Sequence, residues 1–206
     1  MNLRILTCLA LPFLLLTSGC LSPGSSPQVT FYQLRPSATE PEAIMMFEEP
    51  LIVGPIELSP YINNSRLVYR PTTHQVAYRE LHRWAEPLEQ NMANAISNDI
   101  SSLLNSQKTF AYSPRVGIQN DIHSLRMRIH RFEIDEGGRA VLEISAVHLQ
   151  GMRPLRNPIL HLELTRTPEG PGIDDQVRAL NSLVHEVSVA LAREIKNDIN
   201  SETETP

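Results

Sequence analysis

The sequence predicts an α+β fold: a single domain with a largely antiparallel sheet and two long amphipathic helices packed on one face of it. Three observations carry this. Two segments, at about 84–104 and 174–199, repeat apolar residues every three or four positions, the period of a half-buried helix. Several shorter segments alternate apolar and polar residues, as strands with one buried face do. Asp135-Glu136-Gly137-Gly138 separates the two longest alternating runs, where a hairpin turn is required. Strands followed by a long helix occur twice in this order, and two helices on one face of one sheet is the economical packing.

The chain opens with Arg4 in a short charged start and an apolar stretch over residues 5–16, interrupted by Pro12. That stretch is too short to cross ~30 Å of hydrocarbon, which takes roughly 20 residues. It ends in Leu14-Leu15-Leu16-Thr17-Ser18-Gly19-Cys20, small residues directly followed by a cysteine, the layout of a bacterial lipoprotein signal. No A-x-A-like site of an ordinary secretory signal is present. Residues 1–19 are therefore expected to be removed as a signal peptide, with Cys20 carrying lipid as the new first residue. Cys8, the other of the two cysteines, lies in the removed segment. The chain beyond it then has no thiol left for a disulfide, a thiolate metal site or a nucleophile. Leu21 stands where an aspartate would favour inner-membrane retention in enteric bacteria, which points to the outer membrane.

Residues 20–28 are rich in Ser, Pro and Gly and read as a flexible tether reaching roughly 25 Å at full extension. The domain is expected over 29–200, and 201–206 as a disordered tail. A first strand is predicted at 29–34, and a solvated loop at 35–50 from its three prolines and four glutamates. A second strand follows at 51–58, in which Pro55 cannot donate to a ladder and should mark an edge or a bulge. A turn at 61–64 and strands at 66–70 and 75–81 come next. Trp84-Ala85-Glu86-Pro87 opens the first helix, whose stripe is Leu88, Met92, Ala95, Ile96, Ile100, Leu103 and Leu104. A short strand is expected at 110–112. Over 122–134, Leu125, Met127 and Ile129 share one parity while Phe132 and Ile134 take the other, so a β-bulge is expected near His130-Arg131. Ala140, Leu142, Ile144 and Ala146 line the next strand, residues 151–158 turn, and Leu160, Leu162 and Leu164 line the last. Asp174 or Asp175 is expected to cap the second helix, whose stripe runs Val177, Leu180, Val184, Val187, Leu191, Ile195 and Ile199.

Net charge is −5, with 41% hydrophobic residues. A mildly acidic chain without a basic block argues against nucleic-acid binding. The seven histidines form no H-x-x-x-H or HExxH arrangement. His130, His148 and His161 fall on neighbouring strands and could converge on a metal, but half-exposed sheet residues are the simpler reading. Glu48-Glu49, Asp135-Glu136 and Asp174-Asp175 sit in loops or at a helix start, where solvation or capping explains them better than acid–base chemistry. There is no Gly-rich phosphate loop and no G-x-S-x-G elbow. Arg126, Arg128, Arg153 and Arg156 place positive charge on the sheet. They read either as a solvated polar face or as a contact for lipid headgroups or an acidic partner. Trp84 reads as a packing anchor.

Three stretches carry a resemblance when taken with Cys20. They are Phe31-Tyr32-Gln33-Leu34, then Val53-Gly54-Pro55-Ile56-Glu57-Leu58-Ser59-Pro60-Tyr61-Ile62 leading to Arg66-Leu67-Val68-Tyr69-Arg70, and Trp84-Ala85-Glu86-Pro87-Leu88. In order and spacing the chain resembles the PqiC-like ABC-type transport auxiliary lipoproteins of the paraquat-inducible PqiABC and related MCE lipid-transport systems. The resemblance implies a non-enzymatic part in envelope lipid traffic, with no catalytic, metal or cofactor-binding residue to carry over and Cys20 as the lipid attachment. It implies a homo-oligomer, ring-like, anchored at the periplasmic face of the outer membrane. Its partners would be a PqiB-like MCE-domain periplasmic protein and the associated inner-membrane permease. Two other readings stand beside it: a structural lipoprotein of another envelope assembly machine, and a tethered periplasmic hydrolase using Glu48, Glu49, Asp135 or Glu136.

Overall fold

A computed structural model describes residues 27–36, 42–114, 122–155 and 159–203, with side chains to residue 201. The expected signal peptide, Cys20 and most of the tether lie outside the described residues, as does Arg156. The described residues form one mixed sheet of nine strands and two helices. In chain order these are β1 (Thr30–Tyr32), β2 (Leu51–Leu58), β3 (Arg66–Thr72), β4 (Gln75–Trp84), α1 (Leu88–Leu103), β5 (Thr109–Ala111), β6 (His123–Ile134), β7 (Ala140–Gln150), β8 (Arg153–Pro154), β9 (Leu160–Arg166) and α2 (Ile173–Thr203).

The long antiparallel pair β6–β7 is the spine of the sheet. On its β7 side lie β9 and the two-residue β8, both antiparallel. On its β6 side lie β2, parallel, and further along the same edge β3, which joins where Tyr69 meets Ile134. From there β3 pairs antiparallel with β4 and β4 parallel with β1, while β5 pairs parallel with β2. The parallel pairings are what the sequence reading lacks. Parallel neighbours need long crossovers rather than turns, so nothing local in the sequence announces them.

Both helices pack on one face, against each other and against the sheet. Every residue named in the α1 stripe is buried, and in α2 only Ile199 is partly exposed. They meet Leu51, Val53, Leu125, Met127, Ile129, Leu142 and Ile144 from the sheet. The parity change in β6 is a bulge: the register with β7 shifts between Ile129 and Arg131. That single extra residue lets Phe132 and Ile134 return to the buried face and stack Phe132 on Trp84, ring centroids 5.8 Å apart. Trp84 itself belongs to β4, and α1 begins only at Leu88 with Pro87 in the cap position.

Pro55 sits at a second bulge, where the β2–β6 register shifts between Val53 and Ile56. The preceding Gly54 has φ +117°, and a Cβ there would lie 2.8 Å from Tyr112 Cβ. Gly54→Ala is expected to destabilise the domain by ~1–3 kcal/mol, read from the midpoint of urea unfolding. An unchanged midpoint would show that β2 can relax at this point.

Two expectations are corrected. Residues 42–50 are not simply a solvated loop. Ile44 N–H donates to Leu103 O at 2.7 Å and Phe47 N–H to Leu104 O at 3.0 Å, and Phe47 is buried. The segment supplies donors to carbonyls that the end of α1 leaves unpaired. Neither Asp174 nor Asp175 precedes α2; both lie in its first turn. Asp175 Oδ2 accepts the Gly172 N–H from there at 3.3 Å, which suits the positive end of the helix dipole. Helix α2 runs to Thr203.

Candidate functional site

The three sheet histidines do not converge. The pleat sends successive side chains to opposite faces, and His148 points to the helix side while His130 and His161 point away from it. On the open face His130 and His161 stack with centroids 5.7 Å apart. Ser145 Oγ lies between them, 2.6 Å from His130 Nε2 and 3.2 Å from His161 Nε2. Arg126 and Arg128 are exposed on the same face, and Arg128 is paired to Glu57 at 2.8 Å. Val147 and Ile159 complete a shallow, partly apolar concavity with these groups. Among the described residues no carboxylate bonds either ring as the orienting group of a nucleophilic triad would. Arg153 is exposed on β8.

His148 enters a buried chain instead. Its Nδ1 lies 2.8 Å from Asp198 Oδ2 on α2 and its Nε2 lies 3.0 Å from His123 Nδ1 on β6. His123 Nε2 in turn lies 2.9 Å from Glu49 Oε2. His123, His148 and Asp198 are all buried, while the Glu49 side chain is 58% exposed. Glu49 and Asp198 come from segments far apart in sequence, and no spacing rule links them. The parity of His123 with Leu125, Met127 and Ile129, and of His148 with the apolar run of β7, is the one signal that could have placed both rings inside.

The carboxylates considered for hydrolysis are scattered. Glu49 joins the start of β6 at His123, whereas Asp135 and Glu136 follow its other end, a strand length of roughly 35 Å away. Glu48 is exposed. Asp135 organises the β6–β7 turn: it accepts from Gly137 N–H at 2.9 Å, from Arg139 N–H at 2.8 Å and from Arg139 Nε at 2.9 Å. Burial alone would raise this carboxyl, but the Arg139 and Gly137 donors outweigh it and its pKa lies below the ordinary value. A depressed folded-state pKa contributes stability above the unfolded value of ~3.9, and that stability is lost as pH falls through the folded one. Asp135→Asn is expected to cost about 1 kcal/mol at pH 7. The deficit should shrink in acid, checked by urea unfolding at both pH values. A deficit that persists unchanged in acid would remove the charge argument.

Beyond the turn, Glu133 is fully buried on the open face. It accepts from Arg70 Nε at 2.5 Å and from Arg131 Nε at 3.1 Å. The Arg70 guanidinium lies 5.6 Å from the Tyr61 ring centroid. Burial, reinforced by the Glu133 charge, pushes the Tyr61 phenol up to about 12. This cluster ties the 59–65 turn over the sheet. On the helix side, a polar cleft of about 620 Å³ lies between residues 33–36, α1 and β5. Asn91 fixes its wall by accepting from Leu34 N–H at 2.7 Å and donating to Glu86 Oε1 at 2.8 Å. No three His, Cys, Asp or Glu gather to hold a metal among the described residues, and no described helix is long and apolar enough to cross a membrane.

What this leaves is an α+β domain in which the buried polar clusters described bond its own elements to one another. The profile of the ABC-type transport auxiliary lipoprotein component family matches residues 32–192, and the chain belongs to that family. The family is described as a transport component rather than as an enzyme. Two crystal structures share the fold. One is protein XCC0632 from Xanthomonas campestris, of the family called DUF330, with TM-score 0.71 and 18% identity over 85% of this chain and 100% of that one. The other, described only as an uncharacterized protein, has TM-score 0.67 and 20% identity over 82% of this chain and 99% of that one. No curated protein matches the sequence.

Proposed function

We propose that this chain is the outer-membrane lipoprotein of an MCE-type intermembrane lipid transport system, docking the periplasmic conduit and supporting envelope integrity. The family membership over residues 32–192 carries the reading, because it places the chain in a transport system as an auxiliary lipoprotein. Cys20 is the lipid attachment in this proposal, residues 1–19 the removed signal and 20–28 the tether. The domain works without catalysis or cofactor, as a homo-oligomer beside a PqiB-like MCE protein and its permease. The scattered carboxylates support this over a tethered hydrolase, since Glu49 and Asp135 lie at opposite ends of β6.

In-cell cross-linking of the full-length lipoprotein with mass spectrometry of the adducts tests it. Adducts to itself and to an MCE-domain protein are expected. Adducts only to other envelope assembly factors, in cells that express an MCE protein, would replace it with the assembly-machine reading.

A further inference from the structure

The chain Glu49–His123–His148–Asp198 is buried except at its Glu49 end, and its hydrogen bonds count protons. A carboxylate accepts, so the outer links place N–H protons on His123 Nε2 and on His148 Nδ1. A neutral imidazole has only one N–H. Two neutral rings bonded in this way would turn bare lone pairs toward each other across 3.0 Å. Two doubly protonated rings would instead turn N–H against N–H. With both carboxylates ionised, three N–H protons over the two rings complete all three links, the central one shared. The same geometry, imidazoles backed by carboxylates, also occurs around zinc. Zinc takes at least three protein ligands, and no third ligand converges here among the described residues. The group that fits between the rings is a proton.

The links span four elements. Glu49 ends the segment that caps α1, His123 opens β6, His148 lies near the end of β7, and Asp198 sits near the end of α2. The Phe47 ring packs edge-on to His123 at 5.3 Å. Lys196 also joins these parts: its Nζ donates to Ile44 O at 3.2 Å. On α2, Ser201 Oγ donates to the main-chain oxygen of Asp198 at 2.7 Å. Asp198 Oδ1 has no hydrogen-bond partner among the described residues, so the His148 ring is the group that holds this buried carboxyl side chain. The exposed Glu49 end is the route by which solvent protons reach the chain.

We infer that Glu49, His123, His148 and Asp198 form a proton-operated latch: one shared proton holds segment 42–50 and the end of α2 on the β6–β7 spine, and gain or loss of a proton releases them. Unfolded, the two rings bind two extra protons well below ~6.5 and none well above it. The latch binds one. Stability rises with pH wherever the unfolded chain binds more protons. The latch therefore tightens as pH rises on the acid side and loosens as pH rises on the alkaline side, with a maximum between.

The test is imidazole nitrogen NMR on the full chain in detergent micelles from about pH 5 to 9, the range of histidine switching. Amide exchange at Ile44 and Phe47 is read on the same samples. Three ring N–H protons, one of them bridging two nitrogens, are expected near the maximum. Exchange at those amides, corrected for its intrinsic pH dependence, should rise by up to ~10-fold for each unit of pH away from ~6.5 on either side, over the range in which the latch holds its one proton. Asp198→Asn should flatten that profile. Two ring N–H protons at every pH, or corrected exchange independent of pH in the wild-type chain, would overturn the latch. So would stoichiometric binding of zinc alone to the purified chain. These readouts do not involve a transport partner, so they stand or fall separately from the docking proposal.

Discussion

Cys20→Ser is expected to abolish incorporation of labelled palmitate into this protein and to remove the mass of the acyl chains from the intact chain. Serine keeps the size of the side chain and removes the thiol proposed as the lipid attachment. Cys8 is the other cysteine, and it lies within the segment assigned to the signal. It therefore offers no substitute site on the processed chain. Each buried CH₂ of an acyl chain contributes ~0.8 kcal/mol to membrane partitioning, so losing the chains removes far more binding energy than any side-chain contact of the domain could return. The folded domain should be indifferent: position 20 precedes β1 by ten residues, and thermal unfolding should change by no more than about 0.5 kcal/mol. Restoration of transport by the variant would show that lipid attachment is dispensable. Retained palmitate label would show that Cys20 is not the attachment point.

The elements that rest on short-range patterns were legible in the sequence, and those that rest on long-range pairing were not. The stripe from Leu88 to Leu104 encodes a helix because each residue lies one turn from the next. The parity change between Ile129 and Phe132 encodes the bulge for the same reason in a strand. The neighbours of β2 carry no such mark. Val53 meets both Ala111 and Leu125 through crossovers of more than fifty residues. A sheet that reads as hairpins in sequence is therefore partly parallel in space. Segment 42–50 misled for a related reason: its prolines and glutamates are a loop composition, and the task of Ile44 and Phe47, capping α1, is defined only once α1 ends beside them.

The polar chemistry divides along the same line. Asp135 and its turn could be read directly, because its partners Gly137 and Arg139 are two and four residues away. His123 and His148 could be assigned to the buried face by parity alone, yet sheet histidines are usually half exposed. The carboxylates that make their burial tolerable are 74 and 50 residues distant. A buried polar group is stable only with its partner, so a sequence that hides the partner also hides the burial.

Ile100→Ala is expected to produce the largest loss of stability of any single substitution considered, ~3–4 kcal/mol within the 2–5 range for truncating a buried isoleucine. Ile100 is fully buried within the core cluster. Its helix has little else to hold it. α1 is 16 residues long, Pro87 gives it no side-chain cap, and no basic residue lies in its last turn. Asn91, Asn94, Ser97, Asn98, Asp99, Ser101 and Ser102 are modest or poor helix formers. A helix of this length and composition is marginal alone and persists through tertiary packing. Because β2, β5 and α2 all pack on α1, a cavity there loosens the sheet and the second helix together. The urea midpoint should fall with an unchanged slope, as for one cooperative unit, and the melting temperature should drop by about 6–16 °C. Glu89→Ala, on the exposed face of the same helix, should stay within about 0.5 kcal/mol. A loss below 1 kcal/mol at Ile100 would mean that the core closes over the cavity, and that α1 is held by the donors of Ile44 and Phe47 more than by its apolar stripe.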